Sequence, residues 1–235
     1  MKMLYGVPVV TAGTIFGVLT ELGIAPWPQL EPPMTLEAYK QRDLTPQQRS
    51  ELKFAPATEV VLLKDHRDRP YAGFRGIGND WVTTIAFLPN PDAPDDQLVP
   101  VVGEWKHGAE VVTLVPPSGV LSRSDHTSLK PFETCAKREF EEETGLELQE
   151  IVPLSEFGIP ISGRKLATRF YPFLGVVKEP IVPQPSKLDN TEDLKMVLIP
   201  LSEWRKLIRA GKVSELCSVA VTYLALEHLG RLHAR

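Results

Sequence analysis

From Trp81 onward, short β-branched apolar runs alternate with turn-forming residues, the pattern of paired strands. Strands are predicted over residues 81–88, 98–105 and 109–115, joined by the Pro- and Asp-rich stretch 89–96 and by the turn Lys106-His107-Gly108, with a tight turn at Pro116-Pro117-Ser118-Gly119. The acids of 89–96 read as solvated loop charges. His107 reads as a turn residue, because no second histidine stands at metal spacing. The period then lengthens: Phe132, Ala136 and Phe140 recur every four residues and predict a helix with one apolar face. Strands return over 147–153 and 168–177, a proline-punctuated loop covers 179–192, and a last strand is expected over 195–199. Ser202-Glu203-Trp204 opens a helix, and Val213, Leu216, Val219, Ala220, Tyr223 and Leu224 form a further helical stripe. Strands interleaved with helices in this way imply a mixed α/β domain whose helices cover a sheet.

The chain before Trp81 is patterned differently. Residues 3–24 are apolar enough to raise a signal peptide or membrane anchor, but Pro8, Gly13, Gly17, Glu21 and Gly23 interrupt the run. It is therefore read as a non-spanning segment that packs on the domain or on a partner subunit. Residues 25–33 carry four prolines and read as an extended arm. Thr45-Pro46 opens a short helix ending near Phe54, since Thr45 can cap it and Pro46 suits its first position. Residues 59–63 and 71–74 are expected to pair as strands before a turn at Gly76-Ile77-Gly78. The expected division is an N-terminal extension and linker over 1–57, followed by the main domain over 58–235.

Composition narrows the function. An apolar fraction of 43% supplies a core, and a net charge of -4 without a basic stripe argues against a nucleic-acid surface. Cys135 and Cys217 fall inside helical patterns without metal-type spacing, so they read as buried hydrophobes of a reducing, cytoplasmic compartment. No membrane partner is expected.

The chemistry concentrates in Lys137-Arg138-Glu139-Phe140-Glu141-Glu142-Glu143-Thr144-Gly145-Leu146. Residues three and four apart share a helix face, so Glu139, Glu142 and Glu143 project together, while Glu141, off that face, reads as a solvated charge. Clustered carboxylates repel one another unless a cation sits on them, and a hard divalent ion, Mg²⁺ above all with Mn²⁺ as the alternative, suits oxygen donors.

With Gly119 in front, this stretch resembles the Nudix box, whose pattern is G, five residues, E, seven residues, R-E-U-x-E-E-x-G-U with U apolar. The second half matches at every fixed position. The first half departs: eighteen residues lie between Gly119 and Arg138 where the pattern has thirteen, and Lys130 stands where the first glutamate is expected. The resemblance implies a Nudix α/β/α sandwich with a mixed sheet, metal held by Glu139, Glu142, Glu143 and the Ser118 carbonyl, and Gly119, Arg138 and Gly145 as structural positions. With Lys130 in place of a glutamate, Arg138 loses an expected partner, and neither Asp125, earlier in the loop, nor Glu133, just inside the helix, is read as its replacement. The order Gly103-Glu104-Trp105-Lys106, then 110–115, then Pro117-Ser118-Gly119, together with 197–213, is similar to the ADP-ribose pyrophosphatase branch. That likeness implies hydrolysis of a nucleoside diphosphate linked to a sugar, ADP-ribose first, to AMP and ribose 5-phosphate by a homodimer, with the 1–57 extension a candidate dimerisation arm and 58–235 the Nudix hydrolase domain. It also implies a catalytic acid before the last strand, for which Glu192 is the nearest match. Arg164 is a candidate contact for phosphate or ribose and Lys106 for phosphate, and Trp81 or Trp105 a candidate stacking surface for a base. Two alternatives stay open: a non-catalytic nucleotide-sugar sensor, supported by the missing glutamate and the longer loop, and a hydrolase of nucleoside triphosphates.

Overall fold

Runs that are apolar at every position, such as Leu98–Lys106 through its first six residues, form strands covered on both faces. The computed structural model describes residues 2–52, 55, 57–64, 67–106, 109–162, 166–188 and 193–232. By contacts the chain forms two units, one of residues 1–26, 81–159 and 170–235, the other of 27–80 and 160–169.

In the first unit, β1 (Lys2–Leu4) and β2 (Val7–Val9) form a hairpin whose turn residues Tyr5 and Gly6 both have positive φ, 53° and 76°. β2 runs parallel to β12 (Lys195–Pro200), β12 pairs antiparallel with β6 (Leu98–Lys106) in the register Val197↔Val101, and β6 pairs with β7 (Val111–Val115). A second sheet places β5 (Trp81–Ala86) between β8 (Ser118–Val120), antiparallel to it, and β11 (Arg169–Val177), parallel to it. β9 (Leu148–Pro153) and the two-residue β10 (Ile159–Pro160) complete that sheet. The tight turn expected at 116–119 is thus shorter, because Ser118 and Gly119 pair with Thr83 and Val82.

The helices of this unit are α1 (Ile15–Glu21), α4 (Pro131–Thr144), α5 (Leu201–Arg209) and α6 (Leu216–His228). Residues 2–24 are part of the unit: Ile15, Leu19 and Ile24 join one core cluster with Ile85, Val101, Val197 and Trp204. A Cβ at Gly103 would run into the Leu19 side chain, so α1 lies directly against the backbone of β6. On α4, Ala136 and Phe140 are buried and Phe132 stacks on Tyr171 with ring centroids 3.6 Å apart, as the four-residue period predicts. The stripe expected on α6 is rotated. Cys217, Ser218, Val221, Thr222, Ala225 and Leu226 face inward while Leu216 is exposed. The reason is polar: Thr222 Oγ1 accepts from the buried Trp204 Nε1 at 2.9 Å and donates to the Ser218 carbonyl at 2.7 Å, so this hydroxyl belongs inside. Both cysteines are free and buried, as expected.

The second unit holds α2 (Leu36–Lys40), α3 (Pro46–Glu51) and the hairpin of β3 (Ala57–Lys64) with β4 (Pro70–Ile77). Thr45 and Gln48 form a reciprocal capping box with Pro46 in the first turn. Gly76 and Ile77 extend β4 instead of turning, and the Gly76 carbonyl accepts from the Ala167 N–H at 2.9 Å. Among the described residues no helix is long and apolar enough to cross a membrane.

Candidate active site

The acidic helix α4 starts without a side-chain cap at Lys130 and with proline in its first turn, where a missing N–H costs nothing. It ends at Gly145, whose φ of 69° is left-handed and whose N–H donates to the Glu141 carbonyl at 2.9 Å. Gly145 is required for a second reason: a Cβ there would overlap the Gln184 carbonyl. The loop after β11 is fastened at this point. Gln184 N–H donates to the Gly145 carbonyl and Lys187 N–H to the Glu142 carbonyl, both at 2.8 Å, which satisfies main-chain acceptors that a helix end leaves open.

Glu139, Glu142 and Glu143 occupy the face that spacing assigns them, and β8 lies against it. Gly119 has no side chain because the Glu139 carboxylate fills the place a Cβ would take. Ser118 N–H donates to Glu143 Oε2 at 3.3 Å. Glu139 and Glu143 are buried, whereas the Glu142 side chain is 36% exposed. Arg138 ties the group together, reaching Glu139 Oε1 and Glu142 Oε2 at 2.8 Å each and the Val120 carbonyl at 3.3 Å. Burial opposes its charge, but the surrounding carboxylates raise its pKa above the ordinary arginine value.

The partner expected to be missing is present. Asp125, 1% exposed, accepts from Arg138 Nη2 at 2.9 Å and Nε at 3.3 Å, a forked pairing. Ser122 donates to the same carboxylate through its N–H at 2.7 Å and its hydroxyl at 2.8 Å. Burial pushes the Asp125 pKa up, but the Arg138 and Ser122 hydrogen bonds outweigh it and hold the group at about 2. Lys130 is turned elsewhere, onto Glu133 at 3.0 Å. Spacing could not reveal Asp125, because the lengthened loop folds back through Ser122. The available signal was chemical: Asp125 is the one acid between Gly119 and Glu133.

Glu141 is not simply solvated. Its Oε1 accepts from the Leu148 N–H at 3.0 Å and so links the helix end to β9. The nominated substrate contacts are more scattered. Val82 and Thr84 face α4, with Thr84 Oγ1 donating to the Ala136 carbonyl, so by strand alternation Trp81 lies on the opposite face, beside the Cys217 thiol. Trp105 stands half-buried across from Val112. Lys106 is held by Glu104 at 2.6 Å and Glu215 at 3.0 Å; burial lowers its pKa, but the two carboxylates more than offset this and raise it. Arg164, Glu192 and His107 lie outside the described residues.

Does this donor set suit a divalent ion? Three carboxylates on one face, two of them buried, are the hard oxygen ligands such an ion takes. Among the described residues no group of three His, Cys, Asp or Glu side chains is gathered closely enough to hold an ion; one oxygen each of Glu139 and Glu142 is turned to Arg138, and Glu143 Oε2 to Ser118 N–H. The set fits by chemistry and by face; Arg138 engages one oxygen of Glu139 and one of Glu142, so giving those two oxygens to an ion means releasing the guanidinium. An open cleft of about 470 Å³ adjoins the same helix, lined by Thr134, Lys137, Arg138 and Glu142 on one side and Gln184 and Lys187 on the other.

No family model matches the chain, and no curated protein matches it in sequence. Among solved structures, the chain is similar to the crystal structure of an ADP compounds hydrolase, with a TM-score of 0.56 and 19% identity over 74% of this chain and 88% of that one. At that identity the likeness concerns the fold alone.

Proposed function

We propose that the chain is a Nudix-type hydrolase that cleaves the pyrophosphate bond of a nucleoside diphosphate linked to a sugar, with ADP-ribose the leading substrate. The observation that carries this reading is the packing of Glu139 into the space beside Gly119, with Arg138 bridging Glu139 and Glu142. That arrangement supports the Nudix-box assignment independently of the order of letters. The fold likeness to an ADP compounds hydrolase supports the substrate class.

In this reading Glu139, Glu142 and Glu143, with the Ser118 carbonyl, hold Mg²⁺ or Mn²⁺. A divalent ion bound there neutralises charge on the transferring phosphoryl group and makes a water more acidic. Arg138 orients the carboxylates, and Glu192 accepts the proton of the attacking water. Water adds to one phosphorus as the bridging P–O bond breaks, giving AMP and ribose 5-phosphate. Trp105 serves as a substrate contact; Lys106, already balanced by Glu104 and Glu215, grips phosphate less well than a free arginine. The sensor alternative rested on the missing glutamate and the longer loop; Asp125, carried by that loop, gives Arg138 a carboxylate partner, which speaks against the first of these grounds.

The test is direct. Purified chain incubated with ADP-ribose and Mg²⁺ is expected to release equimolar AMP and ribose 5-phosphate. Binding of ADP-ribose without AMP release would establish a sensor. Release of pyrophosphate from nucleoside triphosphates, with ADP-ribose untouched, would move the substrate class.

A further inference from the structure

Two of the proposed metal ligands, Glu139 and Glu142, each offer an oxygen to Arg138 at 2.8 Å. Those oxygens cannot serve the guanidinium and a divalent ion equally. When they turn to the ion, the charge of Arg138, whose side chain is 27% exposed, needs another anion, since a largely buried cation without a partner is costly. Asp125 is placed to be that anion. It is nearly fully buried, it faces Arg138 with both oxygens, and Ser122 fixes it from behind with two donors. Lys130, at the position where the pattern expects an acid, contributes nothing to this group and pairs with Glu133 at the surface.

We propose that Asp125, supplied by the lengthened loop before α4, is a positioning residue that retains Arg138 while Glu139 and Glu142 transfer to a divalent cation, and so sets the affinity for that cation. The inference rests on the metal-dependent reading above. With Asp125 neutralised, Arg138 keeps its hold on the two glutamates and competes with the ion. Asp125 acts through Arg138, so its effect vanishes where Arg138 is absent.

Mn²⁺ titration of the full chain without substrate, following the spin resonance of free Mn²⁺, tests this apart from turnover. Asp125→Asn is expected to raise the Mn²⁺ dissociation constant by about 10–100-fold, the usual effect of removing an outer-shell partner. Lys130→Glu leaves the constant unchanged and does not rescue Asp125→Asn. In an Arg138→Gln background, Asp125→Asn has no further effect. A folded Asp125→Asn with wild-type affinity overturns the proposal, as does an equal loss with and without Arg138, which would indicate bulk electrostatics. If Asp125→Asn does not fold, Asp125→Ser takes its place in the same titration; if neither folds, Asp125 is a folding residue and the proposal falls. Wild-type protein that releases AMP while Asp125→Asn binds Mn²⁺ normally removes this inference alone. Wild-type protein that binds Mn²⁺ in the expected pattern without releasing AMP removes the hydrolase reading alone.

Discussion

At the scale of single residues, the acids around Arg138 carry different burdens. Changing Glu142 or Glu143 to Gln keeps size and hydrogen bonding while removing a charge meant for metal, so turnover of ADP-ribose should fall by orders of magnitude with an unchanged circular dichroism spectrum. Wild-type rates in both variants would remove them from the site. Asp125 instead leaves a signature in stability. Its pKa is about 2 in the folded protein against 3.8 for an ordinary aspartate, so the folded state binds its proton less readily. The stabilisation is therefore present above about pH 4 and is lost as pH falls toward 2, and it amounts to about 2 kcal/mol. Urea midpoints measured from pH 6 down to pH 2.5 should fall more steeply for wild type than for Asp125→Asn. Parallel curves would show that the pairing is not maintained in solution.

At the scale of elements, α4 and the strands that flank it were legible because their periods differ and each has one packing face. Gly119 and Gly145 were legible as positions in a pattern, but not for the reasons they are required. A close approach by the Glu139 carboxylate and another by the Gln184 carbonyl are made by residues distant in sequence. The face of α6 was misread for a related cause. Leu216 is more hydrophobic than Thr222, yet Thr222 is the acceptor for the Trp204 indole, and a hydrophobic pattern carries no information about such a partner. Asp125 was hidden by loop length. The junction between α4 and the 179–188 loop gives the prediction at this scale. Gly145→Ala must place a Cβ in a left-handed conformation, at about 1–2 kcal/mol, and against the Gln184 backbone as well. Denaturant unfolding should show at least that loss, and amide exchange at Gln184 and Lys187 should accelerate. An unchanged midpoint would mean that the loop does not dock as described.

At the scale of the whole molecule, the first unit depends on its earliest residues. Val7, Val10, Ile15, Leu19 and Ile24 are all buried, and at about 1.5–3 kcal/mol for each side chain their burial is comparable with the entire stability of an ordinary domain. A chain lacking residues 2–24 is expected to be insoluble or to lack a cooperative thermal transition; a soluble, cooperatively folding product would show that α1 and the hairpin are accessory. The parallel pairing of β2 with β12 at Val9 and Leu198, and the hydrogen bond from Ala12 N–H to Glu203 at 2.9 Å, bear on synthesis as well as stability. As the ribosome makes the chain from its N-terminus, β2 can pair at once with β1, but its other edge has no strand to meet until β12, the last strand of the unit, has emerged. Contacts of such long sequence separation close slowly, so this unit completes its fold late, and its first two dozen residues are the stretch a chaperone holding the nascent chain would have most reason to cover.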